Sequence, residues 1–71
     1  MSENSISIQF NGQSLDLPAD ATVRQLLEHV KMRSQLVAVE INMEIIPKDN
    51  HASHRLQSGD VVEVVTLVGG G

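Results

Sequence analysis

The feature that most restricts the fold of this chain is an alternating segment near its start, interrupted once. Apolar and polar side chains alternate in residues 5–10, and the alternation resumes in residues 13–17. Period-two alternation is typical of a strand that buries one face. The interruption is Asn11-Gly12, a pair that suits a type I′ turn because both of its residues need positive φ. The sequence therefore predicts a β-hairpin with one apolar face.

The next segment has the periodicity of one amphipathic helix, predicted over residues 22–32. Thr22 and Gln25 have the spacing of a capping box, which marks the start of the helix. Four apolar residues then fall at i, i+3, i+4 and i+7 and form a single stripe: Val23, Leu26, Leu27 and Val30. Because only one side of this helix is apolar, we expect it to lie across the hairpin.

The rest of the chain predicts further strands. A β-branched run at residues 36–41 predicts a third strand, and a short segment at residues 45–46 is ended by Pro47. Residues 48–55 show no periodicity and predict a loop or one short helical turn. The alternating run at residues 61–67 predicts a last strand.

This order of elements favours an α+β domain. A hairpin, one helix and a returning strand pack as a mixed sheet with the helix across one face. We expect the first and last strands side by side in the middle of four to five strands, which is the β-grasp (ubiquitin-like) arrangement with one open sheet face. The predicted organisation is a disordered N-terminus at 1–4, a β-grasp domain at 5–67 and a flexible glycine tail at 68–71.

Composition excludes several classes of function. A chain of 71 residues allows one domain, and the absence of cysteine excludes disulfides, thiolate metal ligands and a cysteine nucleophile. A small domain without disulfides is expected in the cytoplasm, and neither a membrane helix nor a signal peptide is predicted. The net charge of −4, with 5 basic residues among 9 acidic ones, argues against a nucleic-acid partner.

Few side chains offer the groups that catalysis or metal binding needs. His51 and His54 stand at i, i+3 with only Asp49 as a nearby third ligand, so we interpret both as polar loop residues rather than a metal site. Glu40 and Glu63 lie in predicted strands, either as an acid couple or, as we favour, solvated on the open face. No phosphate-binding loop and no Ser/His/Asp order is recognisable. The sequence predicts no catalytic residue, no metal and no enzyme activity of its own.

The chain ends instead in three glycines that follow a strand. An extended chain advances about 3.3–3.6 Å per residue, so residues 68–71 would hold the Gly71 carboxylate about a dozen ångströms from the domain. Gly69 and Gly70 can pass through a narrow channel of a partner where any Cβ would clash. A carboxylate reacts only after activation, for which adenylation is suited. We therefore predict that the protein is a substrate, holds no permanent cofactor, and relies on ATP used by an activating partner.

Alternation in the last strand predicts which side chains meet that partner. Glu63 in a small apolar core would cost several kcal/mol unless it were paired, so we expect it to face outward and Val62 and Val64 to face inward. Apolar side chains at the root of a reactive tail are better explained as a partner contact than as scattered surface valines. The predicted docking residues are Val61, Val65, Leu67 and Val68.

Four segments together resemble the ubiquitin-like sulfur-carrier family, most closely the sulfur carriers of thiamin biosynthesis. They are the early Asn-Gly hairpin, TVRQLL at the start of the helix, VAVEIN followed by IIPK, and LQSGDVVEVVTLVGGG at the end. The resemblance covers residues 6–71. One residue departs from the family pattern, because Met43 follows Asn42 where many relatives carry glycine.

The resemblance implies a chemistry for the tail. In that family the terminal glycine is adenylated by an enzyme of the ubiquitin-activating type and converted to a thiocarboxylate, which donates sulfur to thiazole synthase. The sulfur comes from a cysteine desulfurase or another donor, and by position Gly71 takes the reacting role. Three alternatives stay open: a carrier for another pathway, such as the small subunit of molybdopterin synthase, a ubiquitin-like protein modifier, and a plain interaction domain whose glycines remain from expression.

Overall fold

The computed structural model describes residues 4–67, which form a five-stranded sheet with one α-helix in that range. The elements are β1 (Ser5–Phe10), β2 (Gln13–Pro18), α1 (Val23–His29), β3 (Val37–Ile41), β4 (Glu44–Ile46) and β5 (Val61–Thr66), with short 3₁₀ helices at Ser34–Leu36 and Lys48–Asn50. No helix in the described part of the chain is long and apolar enough to cross a membrane.

The strand order is β2-β1-β5-β3-β4. β1 and β5 pair in parallel, whereas the β1–β2, β3–β4 and β3–β5 pairs are antiparallel. The predicted mixed sheet is therefore confirmed, with the first and last described strands side by side at its centre. This arrangement places the end of β5 between β3 on one side and the β1–β2 turn on the other.

Both hairpins of the sheet close through two-residue turns with positive φ. In the β1–β2 turn Asn11 has φ 49° and Gly12 has φ 87°, as the predicted type I′ turn requires. In the β3–β4 turn Asn42 has φ 52° and Met43 has φ 72°. The departure at Met43 therefore leaves the turn with two positive φ angles, although a side chain now occupies a position that glycine would fill without strain.

The predicted capping box is present at the start of α1. The Gln25 backbone amide donates to Thr22 Oγ1 (3.2 Å), and the Thr22 amide donates to Gln25 Oε1 (2.9 Å). Two further amides of the first turn donate to loop carbonyls, Val23 N to His54 O (3.0 Å) and Arg24 N to His51 O (2.8 Å). These bonds satisfy donors that have no partner within the helix, and they attach α1 to the loop before β5.

The helix ends earlier than the sequence predicts. Its last residue is His29, and Val30 is its C-cap. Lys31 has φ 62°, and the Met32 amide donates back to Leu27 O (2.8 Å), which is the pattern of a Schellman cap. The prediction extended the helix because Val30 fits the apolar stripe, and Val30 does pack against the core from its position beyond the helix.

The core lies between α1 and one face of the sheet. Its buried residues come from the helix stripe, from every strand and from two connecting segments: Ile8, Leu17, Ala21, Val23, Leu26, Leu27, Val37, Val39, Ile41, Ile46, Leu56, Val62 and Val64. Burying a side chain of this size stabilises a fold by about 1.5–3 kcal/mol. Because α1 covers one face, the described residues leave the other face of the sheet without a covering element.

Candidate functional site

β5 presents its two sides to different environments, as its alternation predicts. Val62 and Val64 face the core, with relative exposures of 0% and 6%. Val61, Val65 and Leu67 are exposed by 45%, 58% and 56%. The predicted orientation of the strand is therefore confirmed, and the role of these exposed residues in docking stays a prediction.

Neighbouring strands extend this apolar surface. Ala38 lies opposite Val65 in the β3–β5 pair, and Ile45 of β4 is 63% exposed. Leu36 is 40% exposed, and its carbonyl accepts a hydrogen bond from the Leu67 amide (2.8 Å). We call these residues together the open-face patch: Leu36, Ala38, Ile45, Val61, Val65 and Leu67. Sequence reasoning missed the contribution of β3 and β4, although the alternation of Ala38 with its buried neighbours carried the signal.

Two carboxylates lie within the open-face patch. Glu40 and Glu63 are direct partners in the β3–β5 register, with Glu40 half-buried and Glu63 exposed. Ile45 lies opposite Glu40 on the other side of β3. The predicted placement of both acids on the open face is confirmed. Because like charges directly opposite one another destabilise a sheet, this pair lowers the free energy of unfolding of the free protein.

The asparagine of the first turn holds the end of β5 in place. Val64 N donates to Asn11 Oδ1 (2.8 Å), and Asn11 Nδ2 donates to Val64 O (3.2 Å). The side-chain amide of Asn11 thereby provides the N–H donor and the carbonyl acceptor that the backbone of a further β1 residue would provide if the strand were longer. β5 consequently stays bonded on this side beyond the end of β1.

The asparagine of the second turn holds the beginning of β5. Val61 N donates to Asn42 Oδ1 (3.0 Å), and Asn42 N donates to Val61 O (2.8 Å). Asn42 Nδ2 also donates to Asp60 Oδ1 (3.0 Å). The sequence predicts a turn at Asn11-Gly12, but it gives no indication that the side chain of Asn11 or Asn42 reaches a strand many residues away.

His51 lies in the loop between β4 and β5, as interpreted from the sequence, but the sequence did not indicate that it is buried. His51 is 3% exposed, and its Nε2 donates to the Ile46 carbonyl (3.1 Å) because a carbonyl can only accept. Its Nδ1 lies 3.2 Å from Ser34 Oγ, which can donate to it. Both ring nitrogens therefore have protein partners, whereas His54 is half-buried. Within residues 4–67 no three His, Cys, Asp or Glu side chains are grouped so that they could hold a metal.

The remaining predicted site residues lie outside the described residues. They are Val68, Gly69, Gly70 and Gly71, and their roles stay predictions. The last described residue is Leu67, which follows the end of β5. Leu67 and Val65 both belong to the open-face patch. The predicted docking residues therefore adjoin the segment that would react.

The fold and the exposed last strand define a ubiquitin-like β-grasp domain, and comparison with known proteins identifies its family. The family model that matches is described as the ThiS family and covers residues 8–71. The sulfur carrier protein ThiS of Escherichia coli (strain K12) is 35% identical over 66 residues, which are 93% of this chain and 100% of that protein. The chain belongs to the ThiS family.

A solved structure and a longer relative are also similar. The crystal structure of a thiamine biosynthesis protein (ThiS) from Geobacter metallireducens superposes with a TM-score of 0.79 at 26% identity, covering 93% of this chain and 100% of that one. A thiazole synthase of Paramagnetospirillum magneticum is 38% identical over 66 residues, but these are only 20% of that protein and 93% of this chain. The chain thus corresponds to a small part of the second protein and to the whole of the first.

Proposed function

We propose that this protein is a sulfur carrier of thiamin biosynthesis and that it serves as the substrate of partner enzymes rather than as a catalyst. The observation that carries the proposal is the ThiS-family match, which runs through residue 71 and so includes the glycine end. A relative that this chain covers completely is named a sulfur carrier protein. The proposal places the carrier in the cytoplasm, where a domain without disulfides is expected.

The reacting group in this proposal is the Gly71 carboxylate. In an adenylating partner, this carboxylate attacks the α-phosphate of ATP and pyrophosphate leaves, which gives an acyl adenylate. Sulfide then attacks the acyl carbon and AMP leaves, which gives the thiocarboxylate directly. Where the donor is instead a persulfide on a cysteine desulfurase, its outer sulfur attacks, AMP leaves and an acyl disulfide forms, and a thiol of a partner then cleaves the S–S bond, releasing the thiocarboxylate and forming a disulfide. The resulting thiocarboxylate passes its sulfur to thiazole synthase. The chain contains no cysteine, so no thiol of its own can attack the activated acyl group.

The open-face patch serves in this proposal as the surface that binds the adenylating partner. Leu36, Ala38, Val65 and Leu67 lie together at the end of β5, next to the tail, whereas Val61 lies at the start of the strand, beyond Glu63. An exposed apolar surface of this kind typically marks a contact with another protein, and a few central residues supply most of the binding free energy. Docking there would aim Gly69, Gly70 and Gly71 into the channel of the adenylating site.

Intact mass spectrometry tests the proposal. The protein is incubated with ATP, an adenylating enzyme of the ubiquitin-activating type and a sulfur donor. We expect its mass to increase by the difference between one sulfur and one oxygen atom. A chain lacking Gly71 should fold with unchanged thermal stability and show no mass change. Full charging of that shortened chain would contradict the proposal. Incubation of the charged protein with thiazole synthase or with a molybdopterin precursor then distinguishes the thiazole pathway from the molybdopterin pathway.

A further inference from the structure

A groove of about 620 Å³ lies on the helix side of the molecule. It is bordered by α1, by the loop that follows α1 and by the two 3₁₀ helices, and its lining includes Arg24, Arg33 and Lys48. Because α1 covers the face of the sheet opposite the open-face patch, the groove and the patch lie on different sides of the domain. We call it the basic groove.

The lining of the basic groove is unusually rich in positive charge for an acidic protein. Three of the chain's 5 Lys and Arg residues line it, although the net charge of the chain is −4. Glu28 is the one acidic residue among the described lining residues. The open-face patch carries Glu40 and Glu63 instead. The basic groove and the open-face patch thus differ in the sign of the charges that they carry.

The three cations remain available to a ligand. Arg33 is exposed, and its side chain has no hydrogen-bond or ion-pair partner within residues 4–67. The Arg24–Glu28 pair (3.3 Å) is solvated, with side chains 65% and 63% exposed, so little free energy holds it together. Lys48 Nζ donates to Gln35 O (3.1 Å), which fixes its ammonium group beside the groove and leaves its other two protons free.

The lining indicates an extended chain rather than a compact anion. The cations belong to three separate segments that border the groove, namely α1, the following loop and the Lys48–Asn50 helix. Met32, which is half-buried, also lines it and offers an apolar contact that a phosphate ion cannot use. In an extended peptide, side chains on one side repeat about every 6.6 Å, so that carboxylates can meet separated cations while apolar side chains contact the lining.

We propose that the basic groove binds an extended acidic segment of a protein partner. Carboxylates of that segment would pair with Arg33 and Lys48, and Arg24 would exchange its solvated partner Glu28 for one of them. The inference goes beyond the carrier function and uses no residue of the glycine tail. It implies that one partner can hold the helix side of the domain while another occupies the open-face patch.

A peptide titration, monitored through the backbone amide NMR signals of the protein, tests the proposal. The probe is a short synthetic peptide in which Glu and Val alternate along one side of the extended chain and Ser occupies the other side (Glu-Ser-Val-Ser-Glu), at low salt, and the control peptide has Gln in place of each Glu. We expect saturable shifts at Arg33, Gln35 and Lys48 with the Glu peptide and much weaker binding of the Gln peptide. Shifts that never saturate, or equal binding of both peptides, would overturn the proposal. Inorganic phosphate that saturates the same amides with comparable affinity would show that the groove takes a compact anion instead.

Charge-matched variants separate the groove from net charge. The Arg33→Gln, Lys48→Gln double variant should bind the Glu peptide about fivefold to tenfold more weakly, because it loses two ion pairs. The Lys31→Gln, Arg55→Gln variant removes the same charge outside the groove lining and should bind within about twofold of wild type. Equal losses of affinity in both variants would show that net charge determines peptide binding and would refute binding in the basic groove. Arg33→Gln alone removes a side chain that has no hydrogen-bond or ion-pair partner among residues 4–67, so it provides the test if the double variant unfolds.

Discussion

Four described residues other than glycine adopt positive φ: Asn11, Lys31, Asn42 and Met43. The two asparagines tolerate this conformation, and their side chains make the hydrogen bonds that hold β5. Lys31 and Met43 gain nothing comparable, since Lys31 caps a helix where glycine is usual and Met43 is 90% exposed. These two positions therefore carry backbone strain that no side-chain contact offsets.

The strain at Met43 leads to a prediction about stability. Met43→Gly should raise the free energy of unfolding by about 0.5–1 kcal/mol, because glycine adopts φ 72° without a clash and the exposed methionine loses no packing. Urea denaturation of the two proteins measures the difference. Met43→Ala is the control, since alanine keeps the steric penalty. A gain as large in the alanine variant would show that the methionine side chain, and not the backbone, is unfavourable.

At the scale of the element, one face of β5 is buried, and the other carries exposed apolar side chains together with Glu63. The side chains of Asn42 and Asn11 form hydrogen bonds with its two ends. The opposition of Glu40 and Glu63 across β3 and β5 is its least favourable contact. Glu63→Gln should raise the free energy of unfolding by about 0.2–1 kcal/mol, and the gain should shrink with added salt. Glu44→Gln is the control, because the direct partner of Glu44 in the β3–β4 register is Ile41 and not a carboxylate. Equal gains in both variants would point to net charge instead.

The exposed face of β5 gives a second prediction at this scale. The Val65→Ser, Leu67→Ser double variant should keep its melting temperature within a few degrees but bind the adenylating partner at least about tenfold more weakly. Val64→Ser provides the contrast, since Val64 is 6% exposed and its loss should destabilise the fold strongly. Calorimetry of the partner complex and thermal unfolding measure the two effects. Unchanged binding of the double variant would remove the open-face patch from the docking surface.

The same strand shows what could be predicted from the sequence. The orientation of β5 follows from local alternation around Glu63, and the hairpins follow from residues whose backbone preferences are local. The burial of His51 was not predictable in this way, because it depends on Ser34 and Ile46, which the fold brings to it. The helix end at His29 was missed for a related reason, since the lysine at position 31 gives no signal of the positive φ that follows the helix.

At the scale of the whole molecule, two carboxylates lie on the open-face patch, whereas three of the 5 Lys and Arg side chains line the basic groove. The acidic open face should steer the carrier toward a basic surface on the adenylating enzyme. We therefore expect the association rate to fall steeply with ionic strength while the dissociation rate changes little. Stopped-flow measurements over a salt series test this, with the Glu40→Gln, Glu63→Gln variant expected to show a shallower dependence. An association rate that is insensitive to salt would exclude electrostatic steering.

The central position of β5 also determines when the domain can form during synthesis. β1 and β3 are not neighbours in the sheet, and β5 lies between them. As the chain leaves the ribosome, β1 and β2 can close into a hairpin, and β3 and β4 into another, but no strand joins the two until Val61–Thr66 emerges. A nascent chain interrupted before that point exposes two unpaired strand edges and the apolar faces behind them, which invites proteolysis. Only a chain that has been translated through β5 can therefore complete the sheet, whereas a fragment that ends earlier cannot.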